Sequence, residues 1–294
     1  MLDMKRHFAD RFALAMPWAV GCAAMVFATG CASLTIEPRA HLIPAERVYN
    51  DQDWARVLQD VVRDGLVDYQ TLSVNREPLE RYYALLSVTG PGLTPDQFTE
   101  RNDRVAYWVN SHNALVLLAV LGRYPISTMY DLSLPSLAYD YRFTVDGRPI
   151  TLSAIEDRVM SESAQDVRAL FAMSGAALAT PRLMSEPLRA SALEAQLTRA
   201  AAQALDSPHI CQVDHATKSI LVWQRILQRS DDFVAYWQTR RRVQTANVYS
   251  VLLDLATPQK RRALQSAVGY RFREMPFDRQ LNEWTTRMGR PAVP

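Results

Sequence analysis

Two short stretches hold side chains whose types and spacing could do chemistry. "HICQVDH", residues 209–215, brings His209, Cys211, Asp214 and His215 close together in sequence. On a strand His209 and Cys211 point the same way, and a turn through "DHATK" returns His215 towards them. Zinc takes imidazole and thiolate ligands, so metal binding through His209, Cys211 and His215 is one chemistry on offer, although the spacing fits no standard zinc module. The second stretch, "AYWVNSHNAL" at 106–115, runs straight into the apolar "VLLAVL". As a helix it puts Asn110 and Asn113 on one face and is apolar nearly all round, which implies burial. A buried amide without partners costs about 1–3 kcal/mol, so these asparagines either bond the backbone of neighbouring segments or form part of a site. Ser111 and His112 are not a nucleophile and base, because helix neighbours point about 100° apart. No Gly-x-Ser-x-Gly, His-Glu-x-x-His, P-loop or Gly-x-Gly-x-x-Gly pattern is present. No cofactor is implied.

A third reactive residue, Cys31, lies in a different context. Lys5, Arg6 and Arg11 precede an uncharged stretch from Phe12 to Ala28, and "ATGCAS" follows. A charged start, an apolar middle and a small-residue end describe a secretory signal. "FATGC" resembles the lipobox of bacterial lipoproteins, whose cysteine takes a diacylglycerol and becomes the mature N-terminus. Ala28 stands where that motif usually has leucine. Inner-membrane lipoproteins often carry Asp after the cysteine, whereas here Ala32 follows. The resemblance therefore implies lipidation of Cys31 and a periplasm-facing position on the cell outer membrane. The alternatives are an ordinary cleaved signal and an uncleaved anchor. The reading assigns residues 1–30 to the signal peptide, 31–50 to a proline-bearing tether and 51–294 to the domain. Cys22 leaves with the signal and Cys31 carries lipid, so Cys211 alone remains and the domain forms no internal disulfide.

Composition narrows the rest. The chain has 294 residues, 48% of them apolar, and a net charge of +2. That is enough apolar material for a core, and the charge gives no reason to expect nucleic acid. From Gln238 to the end there are 11 Lys/Arg against 4 Asp/Glu. The clusters "TRRRV" (239–243) and "QKRRA" (259–263) read either as a solvated helix surface or as a face for anionic lipid or an acidic envelope protein.

The elements that must hold these residues follow from periodicity. "QDWARVLQDVVRDGLVDY" (52–69) and Glu77–Val88 carry apolar residues at helical spacing. Asp103 to about Tyr124 reads as the long central helix, ended by Pro125. "YRFTVDGRPITL" (141–152) alternates on either side of Asp146-Gly147 and predicts a hairpin, with a helix starting in "LSAIEDRVM". Glu186 to Leu205 reads as a helix from its alanine, leucine and glutamine content. "HICQV" and "SILVW" suggest a second hairpin, followed by two helices and a terminal strand in "YRFREMPFD". The fold class expected is α+β: one helix-rich domain with a small antiparallel sheet.

An ordered series of motifs then points to a family. "GLVDYQTL", "YWVNSHNAL", "VDGRPITLSAIE", "SALEAQL", "SILVW", "DDF" and "FDRQLN" occur in that order between Asp51 and Trp284. The series resembles the bacterial domain of unknown function 547, DUF547. Its members typically show Val-Asp-Tyr, Asn-Ala-Tyr-Asn-Ala, an Ile-Glu-His step and a late Asp-Trp-Ser-Leu-Asn, and many are secreted or lipid-anchored. They usually carry an Arg-x-His-x-Ala-x-x-Cys stretch that ends in Cys-Pro-x-Leu, an arrangement suited to thiol chemistry or metal ligation. The matching stretch here is "RALFAMSGAALATPRL" (168–183). Arg168, Ala172, Pro181 and Leu183 stand where the family would place them. Leu170 takes the histidine place, and Gly175 and Thr180 take the two cysteine places. The Ile-Glu-His step reads Ile155-Glu156-Asp157, and His112 replaces the family tyrosine between the asparagines. The resemblance therefore implies a domain without its usual thiol and imidazole groups. The polar set left as a candidate binding or structural site is Asn110, His112, Asn113, Glu156 and Arg168. The favoured expectation is a non-catalytic binding or assembly role in the cell envelope. The alternatives are a hydrolase or transferase using other residues, and the metal-binding cluster at 209–215.

Overall fold

The computed structural model describes residues 34–132, 134–139 and 141–284. The signal-peptide reading and Cys31 lie outside the described residues. In chain order the elements are β1 (Leu34–Ile36), α1 (Gln52–Val61), β2 (Val62–Arg63), β3 (Leu66–Val67), α2 (Tyr69–Val74), α3 (Glu77–Val88), α4 (Arg101–Leu121), α5 (Leu134–Tyr139), β4 (Tyr141–Val145), β5 (Arg148–Thr151), α6 (Leu152–Glu162), α7 (Leu193–Asp206), β6 (Cys211–Asp214), β7 (Ser219–Val222), α8 (Gln224–Gln228), α9 (Ser230–Arg241), α10 (Val248–Leu255), α11 (Pro258–Gln265) and β8 (Arg271–Glu274). The class is α+β and helix-rich. Its strands form small sheets, two of which mix directions: β1 and β8 join β4 and β7 in parallel, beside the antiparallel pairs β4–β5 and β6–β7.

The centre is α4. Glu100 and Asp103 form a reciprocal capping box at its start, and every residue from Val105 to Leu121 is buried. It packs against α3 on one side and α6 on another. A helix enclosed on all sides explains why its apolar pattern has no polar face. Around its first turns Tyr107, Phe98 and Tyr49 make edge contacts, with the Phe98 and Tyr107 ring centres 4.9 Å apart. Trp54 of α1 stacks on Tyr82 of α3 at 5.8 Å.

Two helices expected from sequence are shorter than their composition suggests. The first stops at Val61, because Asp64 and Gly65 both adopt positive φ and turn the chain into the β2–β3 hairpin. Asp68 then caps α2 by accepting from the Thr71 amide. The second, expected from Glu186, begins only at Leu193, because the main chain at Leu188 is occupied by a side chain of α4. The 141–151 hairpin forms with its turn at Asp146-Gly147. Residues read as a tether lie along the domain: β1 pairs with β4, and the Tyr83 hydroxyl donates to the Ile36 carbonyl. Among the described residues no helix is long and apolar enough to cross a membrane.

Candidate binding pocket

Asn110 and Asn113 act on irregular backbone. The Asn110 side chain accepts from the Leu188 amide at 2.9 Å and donates to the Leu188 carbonyl at 2.9 Å. Its Oδ1 also accepts from Trp54 Nε1 at 3.3 Å. Asn113 straddles Met173, donating to the Ala172 carbonyl and accepting from the Ser174 amide, each at 2.9 Å. Neither backbone stretch has a regular ladder to satisfy it, so a primary amide, which mimics a peptide group, supplies the donor and the acceptor. The Ser111 hydroxyl donates back to the Tyr107 carbonyl within α4. These bonds dock the 3-10 turn Val167–Ala172 and the strand-like segment at Leu188 onto the central helix.

That docking closes one side of a cavity of about 190 Å³. Val116, Leu152, Leu170, Met173, Trp223 and Phe277 form its apolar wall, and His112, Ser153, Glu156, Thr180, Gln224 and Arg225 supply its polar groups. Gly175, Leu137 and Ala138 complete the lining. Three of the four positions where the family resemblance puts histidine or cysteine, 170, 175 and 180, therefore meet at one pocket. Gly175 and Thr180 touch directly: the Gly175 amide donates to Thr180 Oγ1 at 3.0 Å.

His112 is 8% exposed. Its Nδ1 lies 3.4 Å from Asn113 Oδ1, and Nε2 has no hydrogen-bond partner among the described residues. Burial pushes its pKa down to about 4, so the imidazole is neutral at physiological pH. Glu156 accepts from Arg225 at 2.8 Å and from Arg229 at 3.4 Å. Arg229 also reaches Asp232 at 3.2 Å. The one carboxylate of the pocket is thus paired with two guanidinium groups. Asp157, in the place of the family's other histidine, points to solvent beside Arg229.

The remaining sequence candidates sit elsewhere. Asn110 faces α1 and Leu188. Arg168 is almost wholly buried in a separate cluster, where it donates to Asp166, Glu194 and Thr198. Residues 209–215 do not converge. Cys211 is buried with its thiol pKa pushed up to about 11, His209 faces Asp278 at 3.8 Å, and His215 Nδ1 meets the Tyr270 hydroxyl at 3.0 Å. Among the described residues no three His, Cys, Asp or Glu side chains come together as a metal set. A more voluminous groove of about 720 Å³ beside Asp64, Arg182, Glu186 and Arg199 contains none of the candidate site residues. Its arginines are engaged, Arg199 with Glu186 and Arg182 with the Asp64 carbonyl.

The basic clusters are also largely occupied. Arg240 pairs with Glu194 and Arg241 with Asp254. Lys260 donates to the Cys211 carbonyl, and Arg261 donates to the carbonyls of Leu253, Asp254 and Ala256. Sequence reasoning passed over Arg225 and Phe277, which share the pocket with His112 across more than a hundred residues of chain. Arg225 carried no local signal, while Trp223 and Phe277 lay inside the quoted motifs "SILVW" and "FDRQLN" without an assigned role.

No curated protein and no solved structure matches the chain. Residues 95–204, which include both asparagines, His112, Glu156 and Arg168, match the model of the family described as "Protein of unknown function, DUF547".

Proposed function

We propose that the chain is a lipid-anchored cell-envelope protein, held at the outer membrane through Cys31 and facing the periplasm, whose domain binds a small ligand without converting it. The observation that supports binding over catalysis is the chemistry of the 190 Å³ pocket. Its imidazole is too weak a base to be half-protonated near neutral pH. Its carboxylate is already neutralised by Arg225 and Arg229. Leu170 and Gly175 put inert groups where the family resemblance implies reactive ones. The convergence of His112 and Glu156 favours an enzyme as the second reading, but the imidazole is tuned away from proton transfer and the carboxylate is engaged by two arginines. Membrane contact comes from the anchor in this reading, since most of the clustered cations are spent on internal partners.

The test uses the full-length protein made in a bacterial host. Wild type should fractionate with the envelope and show an acylated N-terminus by mass spectrometry, and Cys31→Ser should move to the soluble periplasmic fraction. Native mass spectrometry of the purified protein should release any co-purified small molecule unchanged. A released molecule that the wild-type protein converts to a second species, and Leu170→Trp does not, would establish the enzyme reading instead.

A further inference from the structure

The hydrogen-bond pattern behind His112 specifies what the pocket asks of its ligand. The Ala172 carbonyl and the Ser174 amide fix the orientation of the Asn113 side chain, so that Nδ2 is the donor and Oδ1 the acceptor. Oδ1 faces Nδ1 of His112 at 3.4 Å. An amide oxygen has no proton to give, so the favourable arrangement places the imidazole proton on Nδ1. The neutral ring then has its lone pair on Nε2. This nitrogen has no partner among the described residues, although His112 is 92% buried by its 8% exposure and forms part of the pocket wall. An acceptor at the pocket wall with no protein donor is open to water or to a ligand.

Size and charge narrow the class further. An apolar cavity of about 150 Å³ holds benzene, and drug-sized ligands need about 300–1,000 Å³. At about 190 Å³ the pocket suits one ring with a small substituent. Arg225 is committed to Glu156 at 2.8 Å, so the pair presents no net charge to a ligand. Thr180 Oγ1 already donates to the Ala177 carbonyl and accepts from the Gly175 amide. His112 Nε2 is thus an open acceptor against an apolar wall, beside the Ser153 hydroxyl and the Gln224 amide.

We infer that the pocket binds an uncharged, single-ring molecule carrying a hydroxyl group, of the phenol or cyclohexanol class, with the ring against Leu170, Met173 and Trp223 and the hydroxyl donating to His112 Nε2. The inference rests on the binding reading above and adds the ligand class and the residue that selects it. Asn113 is a positioning residue, because it acts through the imidazole tautomer.

The experiment is calorimetric titration of the detergent-solubilised full chain with phenol, toluene and benzoate, which share a ring and differ in what the substituent can donate. Phenol should bind at least tenfold more tightly than toluene, and benzoate should bind least. His112→Phe keeps the ring shape and removes the acceptor, so it should erase the phenol preference while toluene binds as before or better. Leu170→Trp fills the cavity and should abolish binding of all three. Equal affinity for phenol and toluene, or tightest binding by benzoate, overturns the inference and leaves the pocket as a ligand site. Loss of every probe from wild type, with no change on Leu170→Trp, overturns the binding reading itself. Nitrogen NMR of His112 in the wild-type protein gives an independent check that needs no variant: the signal should report a proton on Nδ1, and a proton on Nε2 would sink the inference.

Discussion

Asn110 holds both main-chain groups of Leu188, its amide N–H and its carbonyl, each at 2.9 Å. The pairing resembles one rung of a β-ladder in which a side chain replaces a strand. It explains why a helix otherwise built of apolar residues contains a primary amide at 1% exposure. Asn110→Leu keeps the bulk but leaves the Leu188 groups and Trp54 Nε1 buried and unpaired. At about 1–3 kcal/mol for each such group, the variant should lose at least about 2 kcal/mol by urea denaturation. Ser111→Ala breaks one bond within the helix and should cost clearly less. Equal midpoints for the two variants would mean that the Leu188 segment is not held by the amide.

Asp146 is the corresponding device in the β4–β5 hairpin. Its carboxylate accepts from the amides of Gly92 at 2.9 Å and Leu93 at 2.7 Å, while its own backbone turns at φ 52°. Asp146→Ala removes the acceptors and puts a residue that disfavours positive φ at the turn. Asp146→Asn retains one acceptor and tolerates the left-handed region. Thermal melting should rank wild type above Asn and Asn above Ala. Gly92→Ala should also destabilise, because a Cβ there would lie 2.7 Å from Asp146 Oδ2.

How much of this was legible in the sequence depends on the range of the interaction. The Asp146-Gly147 turn, the helix Glu77–Val88 and the buried character of 106–121 are set by neighbours in sequence, and the pattern of residue types gives them directly. The late start of α7 was not legible, because the segment from Glu186 has helix-forming composition, while Leu188 is held by Asn110, some eighty positions earlier, and Ala190–Ala192 form a 3-10 turn before the helix. The end of α1 was within reach, since Asp64-Gly65 is a hairpin dipeptide, but the apolar spacing of Val61, Val62, Leu66 and Val67 also fits a helix. In the site, the polar character of Asn110, His112, Asn113 and Glu156 was visible. Which of them share a cavity was not, because Leu170, Thr180 and Arg225 reach it from segments with no common periodicity. Arg168 shows the reverse case: its place in the family pattern suggested a site, and its burial is explained by ion pairs outside the pocket.

Those ion pairs make an acid-sensitive contribution to stability. The Arg168 guanidinium, followed by that of Arg240, holds the Glu194 carboxyl down at about 2, against an ordinary value of 4.5. A carboxyl with a depressed folded-state pKa stabilises the fold above its unfolded pKa, and that stabilisation fades as the pH drops towards the folded value. The contribution of Glu194 should therefore be complete above about pH 4.5 and decline between there and about pH 2. Glu194→Gln cannot titrate, so its unfolding free energy should vary less steeply with pH in that window. Parallel wild-type and variant curves, from urea unfolding at a series of pH values, would show that Glu194 is not coupled to Arg168.

The two positions where the family resemblance places cysteines offer the sharpest geometric test. A Cβ built on Gly175 lies 3.4 Å from the Cβ of Thr180 and 2.8 Å from its Cγ2. Disulfides need Cβ atoms about 3.5–4.5 Å apart, so the backbone here is already close to bridging distance. Gly175→Cys alone meets the Thr180 methyl at less than ordinary contact distance and should destabilise by overpacking. In the double variant Gly175→Cys/Thr180→Cys the methyl is gone and both sulfurs lie at the pocket wall. The pair should therefore oxidise spontaneously in an oxidising compartment. Closing so short a loop stabilises by about 2 kcal/mol in the chain-entropy picture, so the oxidised double variant should melt above its reduced form. Alkylation followed by mass spectrometry should find positions 175 and 180 unlabelled before reduction and both labelled after it. A folded double variant that stays fully alkylated in oxidising buffer would mean that these positions do not face each other, and that the pocket is not the place where the family's thiols would meet.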